Sequence, residues 1–165
     1  MPAPAFTIRP ATPQDIPVIL RFITELAVYE KLRHEVVATE AALQHSLFGE
    51  RPYAEVVLAL EGGIPVGFAL FFHNYSTFLA QPGLYLEDLF VLPEHRGKGY
   101  GEALLRYLAR LAVSRSCGRL EWSVLDWNEP AISFYKKLGA IPMDEWTTFR
   151  VTGEHLKQLS EPESD

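Results

Sequence analysis

A chain of 165 residues, 48% hydrophobic and 12% aromatic, is long enough to bury one core and too short for two ordinary domains, so a single domain over 1–165 is expected. Its formal charge of −6 repels polyanions, which opposes a nucleic-acid role and suits a small cationic partner. A lone Cys117, five histidines without metal-ligand spacing and no membrane-length apolar run lead to the expectation of a cytoplasmic protein with neither a metal nor a membrane partner.

Phe6 to Arg9 reads as a short strand. Thr12-Pro13-Gln14-Asp15 then supplies a hydroxyl cap, a first-turn proline and an acid, although Pro17 blurs the boundary. Ile16, Ile19, Leu20, Ile23, Leu26 and Ala27 recur at helical spacing, which predicts a helix reaching about Lys31. A shorter helix is expected from Thr39 to Phe48, closed by Gly49. Val56–Leu60 and Val66–Phe72 around Glu61-Gly62-Gly63 read as a hairpin, and Leu84–Val91 as a third long strand. Further on come a helix over about 100–115, a strand at 120–125, a helix at 128–138, a last strand at 146–151, a helical turn or two over 152–159, and a polar tail to Asp165.

The richest segment is LEDLFVLPEHRGKGYG, residues 86–101. An apolar strand holding Glu87 and Asp88 stops at Pro93, and three glycines at 97, 99 and 101 open a helix striped by Leu104, Leu108, Leu111 and Ala112. Glycines permit positive φ and close approach of a phosphate to backbone N–H groups, while the helix N-terminus adds partial positive charge. A Walker loop would need Ser or Thr after Lys98, where Gly99 stands. A dinucleotide fingerprint would need glycine where Glu102 stands. A plain glycine-capped turn stays open on spacing alone.

Together, Arg96-Gly97-Lys98-Gly99-Tyr100-Gly101 and WNEPAISFYKKLGA at 127–140 resemble the two coenzyme blocks of the GNAT superfamily of N-acetyltransferases. IRPAT at 8–12, ELAVYEK at 25–31 and LYLEDLFV at 84–91 extend the likeness to the spermidine/spermine (diamine) or thialysine branch over nearly the whole chain. The resemblance implies an α/β (α+β) GNAT fold, a mixed central sheet with splayed parallel strands flanked by helices. It implies acetyl-CoA as co-substrate, bound by backbone groups of Leu89, Phe90 and Val91, by the loop Arg96, Gly97, Lys98, Gly99, Tyr100, Gly101 and Glu102, and by Asn128, Glu129, Pro130 and Ala131. Asn128 would also cap its own helix.

By the same resemblance Glu87 stands on the base side of the acceptor amine, directly or through water, and Tyr135 donates to the departing thiolate. Tyr29 and Glu30 match the branch's acceptor-contacting pair, and Asp144 falls near a further acidic contact. Adjacent strand positions put Glu87 and Asp88 on opposite faces, so only one should reach the cleft, leaving Asp88 a structural role. The implied reaction is direct acetyl transfer to a small cationic amine (a polyamine, thialysine or lysine-like molecule) by a homodimer. The alternatives are a protein or peptide amine as acceptor, or a non-catalytic acyl-CoA-binding regulatory module. NYSTFLAQPG at 74–83 departs from the branch's acceptor-side loop, which leaves the identity of the amine open.

Overall fold

The computed structural model describes residues 2–163, which puts the last two residues of the polar tail outside the description. The chain forms two compact units, one ending at Leu125 and one beginning at Asp126.

The first unit is a five-stranded sheet in the order β1 (Phe6–Pro10), β2 (Glu55–Glu61), β3 (Ile64–Ser76), β4 (Gln81–Val91), β5 (Leu120–Trp122). The first three pairings are antiparallel and β4–β5 is parallel. That mixture follows from the connections: short turns make β2–β3 and β3–β4 antiparallel, the helical excursion over 11–54 brings β2 back antiparallel to β1, and the long crossover through α3 (Tyr100–Ser114) returns the chain parallel to β4.

β2 reads as a continuous apolar run because both its faces are covered. Val56, Leu58 and Leu60 join Phe68 and Phe90 in a core with Ile16, Ile19 and Phe22 of α1 (Ile16–Tyr29) and Leu43 and Leu47 of α2 (Glu40–Phe48). Val57 and Ala59 point the other way, toward the face where α3 packs with Leu104 and Leu108 fully buried. The entry to α1 settles the ambiguity at Pro17. Pro13–Asp15 forms a 3-10 turn and α1 starts at Ile16, so Pro17 sits in its first turn, where no N–H partner is lost. Asp15 fixes this corner: its carboxylate accepts the Thr12 N–H at 2.8 Å and both terminal nitrogens of Arg9 at 2.8 and 3.0 Å. Those contacts, the Arg9 hydrogen bond foremost, lower its pKa to about 2.

Two expected strands are corrected. β5 stops at Trp122 rather than running to 125, because its last pairing is Leu86 with Trp122 and β4 changes register at the next residue. Residues 146–151 form no strand. They are rich in strand-favouring Trp, Thr, Phe and Val, with Trp146 78% and Phe149 91% exposed, but a strand exists only through a paired neighbour, and none of the ladders includes them. The second unit has α4 (Glu129–Lys137) and α5 (Gly153–Ser160) as its regular elements among the described residues. Asn128 caps α4 as expected, its side-chain oxygen accepting the Ala131 N–H at 3.4 Å, and Pro130 lies in the first turn.

Candidate active site

The site in the first unit begins with one residue too many in β4. Leu70 of β3 pairs with Asp88 and Phe71 pairs with Leu86, so Glu87 has no partner and bulges out of the ladder. A bulge breaks the alternation on which the opposite-face expectation rested. Glu87 and Asp88 both line one cavity of about 500 Å³, which corrects the expectation that only one of them reaches the cleft.

Glu30 and Glu35 complete an acidic lining, with Ile23, Leu26, Leu32 and Val36 among the apolar walls and no basic residue among those that line it. The wall exists because α1 stops sharply. Lys31 takes a left-handed conformation (φ 63°) and the Leu32 N–H turns back to Ala27 O at 2.8 Å, which sends 32–38 past the cavity.

Crowding of carboxylates is felt electrostatically. Burial, then the charges of Glu87 and Glu30, raise Asp88 to about 6. Glu30 is raised as well, by burial first and then by Glu87. A cation in the cavity would relieve both.

Beside this cavity lies the glycine turn. Gly97 and Gly99 have φ of 79° and 82°, and a Cβ built on either would meet no atom within 4 Å. The glycines are therefore demanded by backbone conformation, and the space before them is open to a bulky group. Gly101 differs from expectation: its φ is not positive, it lies inside the first turn of α3, and a Cβ there would come 3.7 Å from Leu89 Cδ2. Gly99 is the N-cap and has no side chain to satisfy the helix's first N–H groups, which leaves them for an anion.

Arg96 donates its Nε–H to Val91 O at 2.9 Å and lays its guanidinium 4.8 Å from the Tyr29 ring centre, which ties the turn to the end of α1. No carboxylate pairs with Arg96 among the described residues. Lys98 and Tyr100 instead hold Glu61, at 3.0 and 2.6 Å. Glu102 pairs with Arg106 at 2.9 Å, so its backbone N–H is what it can offer a ligand. Leu89, Phe90 and Val91 follow the last β4–β5 pairing, and no strand occupies that edge beside them among the described residues. An open strand edge, a glycine turn and a capless helix start are what a phosphorylated pantetheine thioester such as acetyl-CoA requires.

The remaining predicted residues lie in the second unit. Tyr135 is half-buried on α4 with its ring 5.8 Å from that of Phe134, and Asp144 sits in an exposed turn closed by the Trp146 N–H bonding Met143 O at 3.2 Å. Sequence reasoning missed Glu35 and Glu61 and misplaced Asp88. The available signal was the number of acids on segments converging on one strand end.

Comparison with known proteins follows this geometry. Residues 21–140 match the acetyltransferase (GNAT) family. The chain is 38% identical to mouse thialysine N-epsilon-acetyltransferase, covering 93% of this chain and 96% of that one. It is 36% identical to the L-ornithine N5-acetyltransferase of Arabidopsis thaliana, over 92% and 86%. An integron cassette protein from the mobile metagenome of V. cholerae superposes with a TM-score of 0.80 at 28% identity, over 95% and 98% of the two chains. The chain belongs to the GNAT acetyltransferase family. It is an N-acetyltransferase dependent on acetyl-CoA, and its mixed, helix-flanked sheet is the fold that the resemblance implied.

Because Asp88 titrates near 6, a cationic acceptor meets a less negative cavity as pH falls through that value. KM for the acceptor should rise several-fold between pH 7.5 and 5.5, and Asp88→Asn should raise it at pH 7.5 and flatten the profile. The raised pKa also means that Asp88's own contribution to stability falls as pH rises from about 4 to about 6 and is level above, since the folded state holds the proton longer than the unfolded state, so wild type and Asp88→Asn should differ in this range. Steady-state kinetics and denaturation across this range check both, and a wild-type acceptor profile that Asp88→Asn leaves unaltered counts against the cation-binding role.

Proposed function

We propose that this enzyme moves acetyl from acetyl-CoA directly to a primary amine at the end of a small alkyl chain bearing a second cationic group, as in polyamines, thialysine or lysine-like molecules. The observation that carries this reading is the cavity: four carboxylates, apolar walls and no basic side chain among its lining residues. Its carboxylates complement ammonium groups and its walls a methylene stem. The thialysine and ornithine acetyltransferases similar to this chain act, by their names, on amines of this size. A protein or peptide acceptor is not favoured, nor is a binding module without catalysis.

Acetyl-CoA supplies an activated acyl group, and this chain must supply the proton traffic. An alkylamine of pKa about 10.4 is neutral in about one molecule in 2,500 at pH 7, a cost of roughly 4.6 kcal/mol, so a base must accept its proton. Glu87, lifted out of the ladder by the bulge, takes that role directly or through water. Asp88, Glu30 and Glu35 hold the charge of the acceptor, and Tyr29 and Asp144 add further contacts.

Arg96, Gly97, Gly99 and the N–H groups opening α3 hold the coenzyme phosphates and the edge at Leu89–Val91 takes its pantetheine arm, while Asn128–Ala131 contact the coenzyme as the family resemblance implies. Tyr135 hydrogen-bonds the sulfur as it leaves. Full transfer from a phenol of pKa about 10 to a thiolate of about 8.5 runs uphill by roughly 2 kcal/mol, so the proton moves as the bond breaks.

The two compact units together make one GNAT domain, a reading supported by a family match that spans 21–140 and so crosses from one into the other. The resemblance further implies a homodimer, and exposed Ile141, Trp146 and Phe149 supply apolar surface for a second copy. A cytoplasmic setting accords with the lone Cys117.

An acceptor panel of spermidine, ornithine, thialysine, lysine and a lysine peptide, followed by thiol release, should give the highest kcat/KM to a small dicationic amine. A peptide preferred over every small amine would overturn the acceptor class. Tyr135→Phe should lower kcat by about 10²-fold while leaving acetyl-CoA binding intact, and undiminished turnover would remove the donor role. Sedimentation at several concentrations should show a dimer, and a monomer throughout would refute that assembly.

A further inference from the structure

Behind the glycine turn, and apart from the residues that face the coenzyme, one carboxylate gathers three side chains. Glu61 accepts the Tyr100 hydroxyl at 2.6 Å and the Lys98 ammonium at 3.0 Å, and His95 Nδ1 lies 3.0 Å from its other oxygen. All three partners lie between the end of β4 and the first residue of α3, that residue included, whereas Glu61 is the last residue of β2. Its side chain is only 15% exposed.

Its own position is fixed from two directions. It pairs with Phe6 across to β1 and with Ile64 across the hairpin turn, and the Gly62 N–H bonds Ala5 O at 2.8 Å. Phe6 in turn stacks flat on the Tyr100 ring, 4.1 Å between centres and 10° between planes.

A carboxylate beside a diphosphate site is unfavourable for binding on charge alone, because it cancels Lys98 and repels the ligand. Its presence there, with a hydroxyl, an ammonium and an imidazole all turned onto it, indicates a mechanical role. Tyr100 is the first residue of α3, and Gly97 and Gly99 on either side of Lys98 sit in left-handed conformations that are loosely determined without support. Anchoring Lys98 and Tyr100 from behind fixes the two peptide planes around Gly99.

We propose that Glu61 is a positioning residue for coenzyme binding, holding Lys98 and Tyr100 so that the turn presents its backbone N–H groups, with Arg96 as the cation left to meet the phosphates. This rests on the reading of the turn as the coenzyme site. Lys98 then acts through Glu61 as a strut rather than as a phosphate ligand. The hydrogen bonds that Tyr100 and Lys98 donate lower the Glu61 pKa, and donating to Glu61 raises that of Tyr100, as a mutually stabilised cluster requires.

Calorimetric titration of the full chain with acetyl-CoA tests it. Glu61→Gln should weaken binding about five- to tenfold and raise KM for acetyl-CoA, with KM for the amine unchanged. Lys98→Met should weaken it similarly, and the double variant should lose little more than either single one. Tyr100→Phe, which keeps the stack on Phe6 and deletes only the hydrogen bond, should show a smaller loss and serves where Glu61→Gln folds poorly. Unchanged or tighter binding in Glu61→Gln, or in Tyr100→Phe if that variant must stand in, overturns the proposal, since freeing Lys98 would then have helped. Wild-type protein that takes up no acetyl-CoA would instead overturn the coenzyme reading itself, and this inference with it.

Discussion

One unpaired residue in β4 organises the active site. From Leu84 to Leu86 the strand is paired on both sides, to β3 and to β5. At Glu87 the ladder with β3 slips by one position and the ladder with β5 ends. The slip turns two successive carboxylates toward one cavity, and at the same point on the opposite edge the following backbone, Leu89 to Val91, lies beside no strand among the described residues. A ladder that stayed in register would have buried one of these acids or turned it away.

Either side of that slip the requirements are opposite, and the chain meets them with different chemistry. The acceptor side concentrates negative charge, raising Asp88 and Glu30 above ordinary carboxylates, which is tolerable because a polar opening and a cationic ligand compensate. The glycine turn, where we propose that the coenzyme phosphates bind, carries little free side-chain charge, since Lys98 is tied to Glu61. Backbone N–H groups, a helix terminus and Arg96 remain. Arg96 spans both sides by bonding Val91 and covering Tyr29.

Much of this was legible in the residues. Apolar periodicity located α1 and α3, the apolar run of β2 marked a strand, and the glycine turn stood out by composition. What could not be read was anything set by pairing. The bulge depends on how β3 and β4 align over ten pairs, which no local window contains, and so the relation of Glu87 to Asp88 came out reversed. For the same reason residues 146–151 carry a strand's composition without being one. Glu61 was invisible as a site residue because its partners lie 37 and 39 positions away, and in sequence it is merely the acid before a glycine turn.

The abrupt end of α1 has an evolutionary corollary. Leu32 to Ala38 forms one side of the acidic cavity proposed to take the acceptor, yet it follows a single left-handed residue, Lys31, and is not woven into the sheet. Substitutions, insertions or deletions there can reshape which amine is welcomed while the machinery gripping the acyl donor, rooted in β2 and β4, is undisturbed. Descendants of such a scaffold are free to diversify in diet while sharing one fuel.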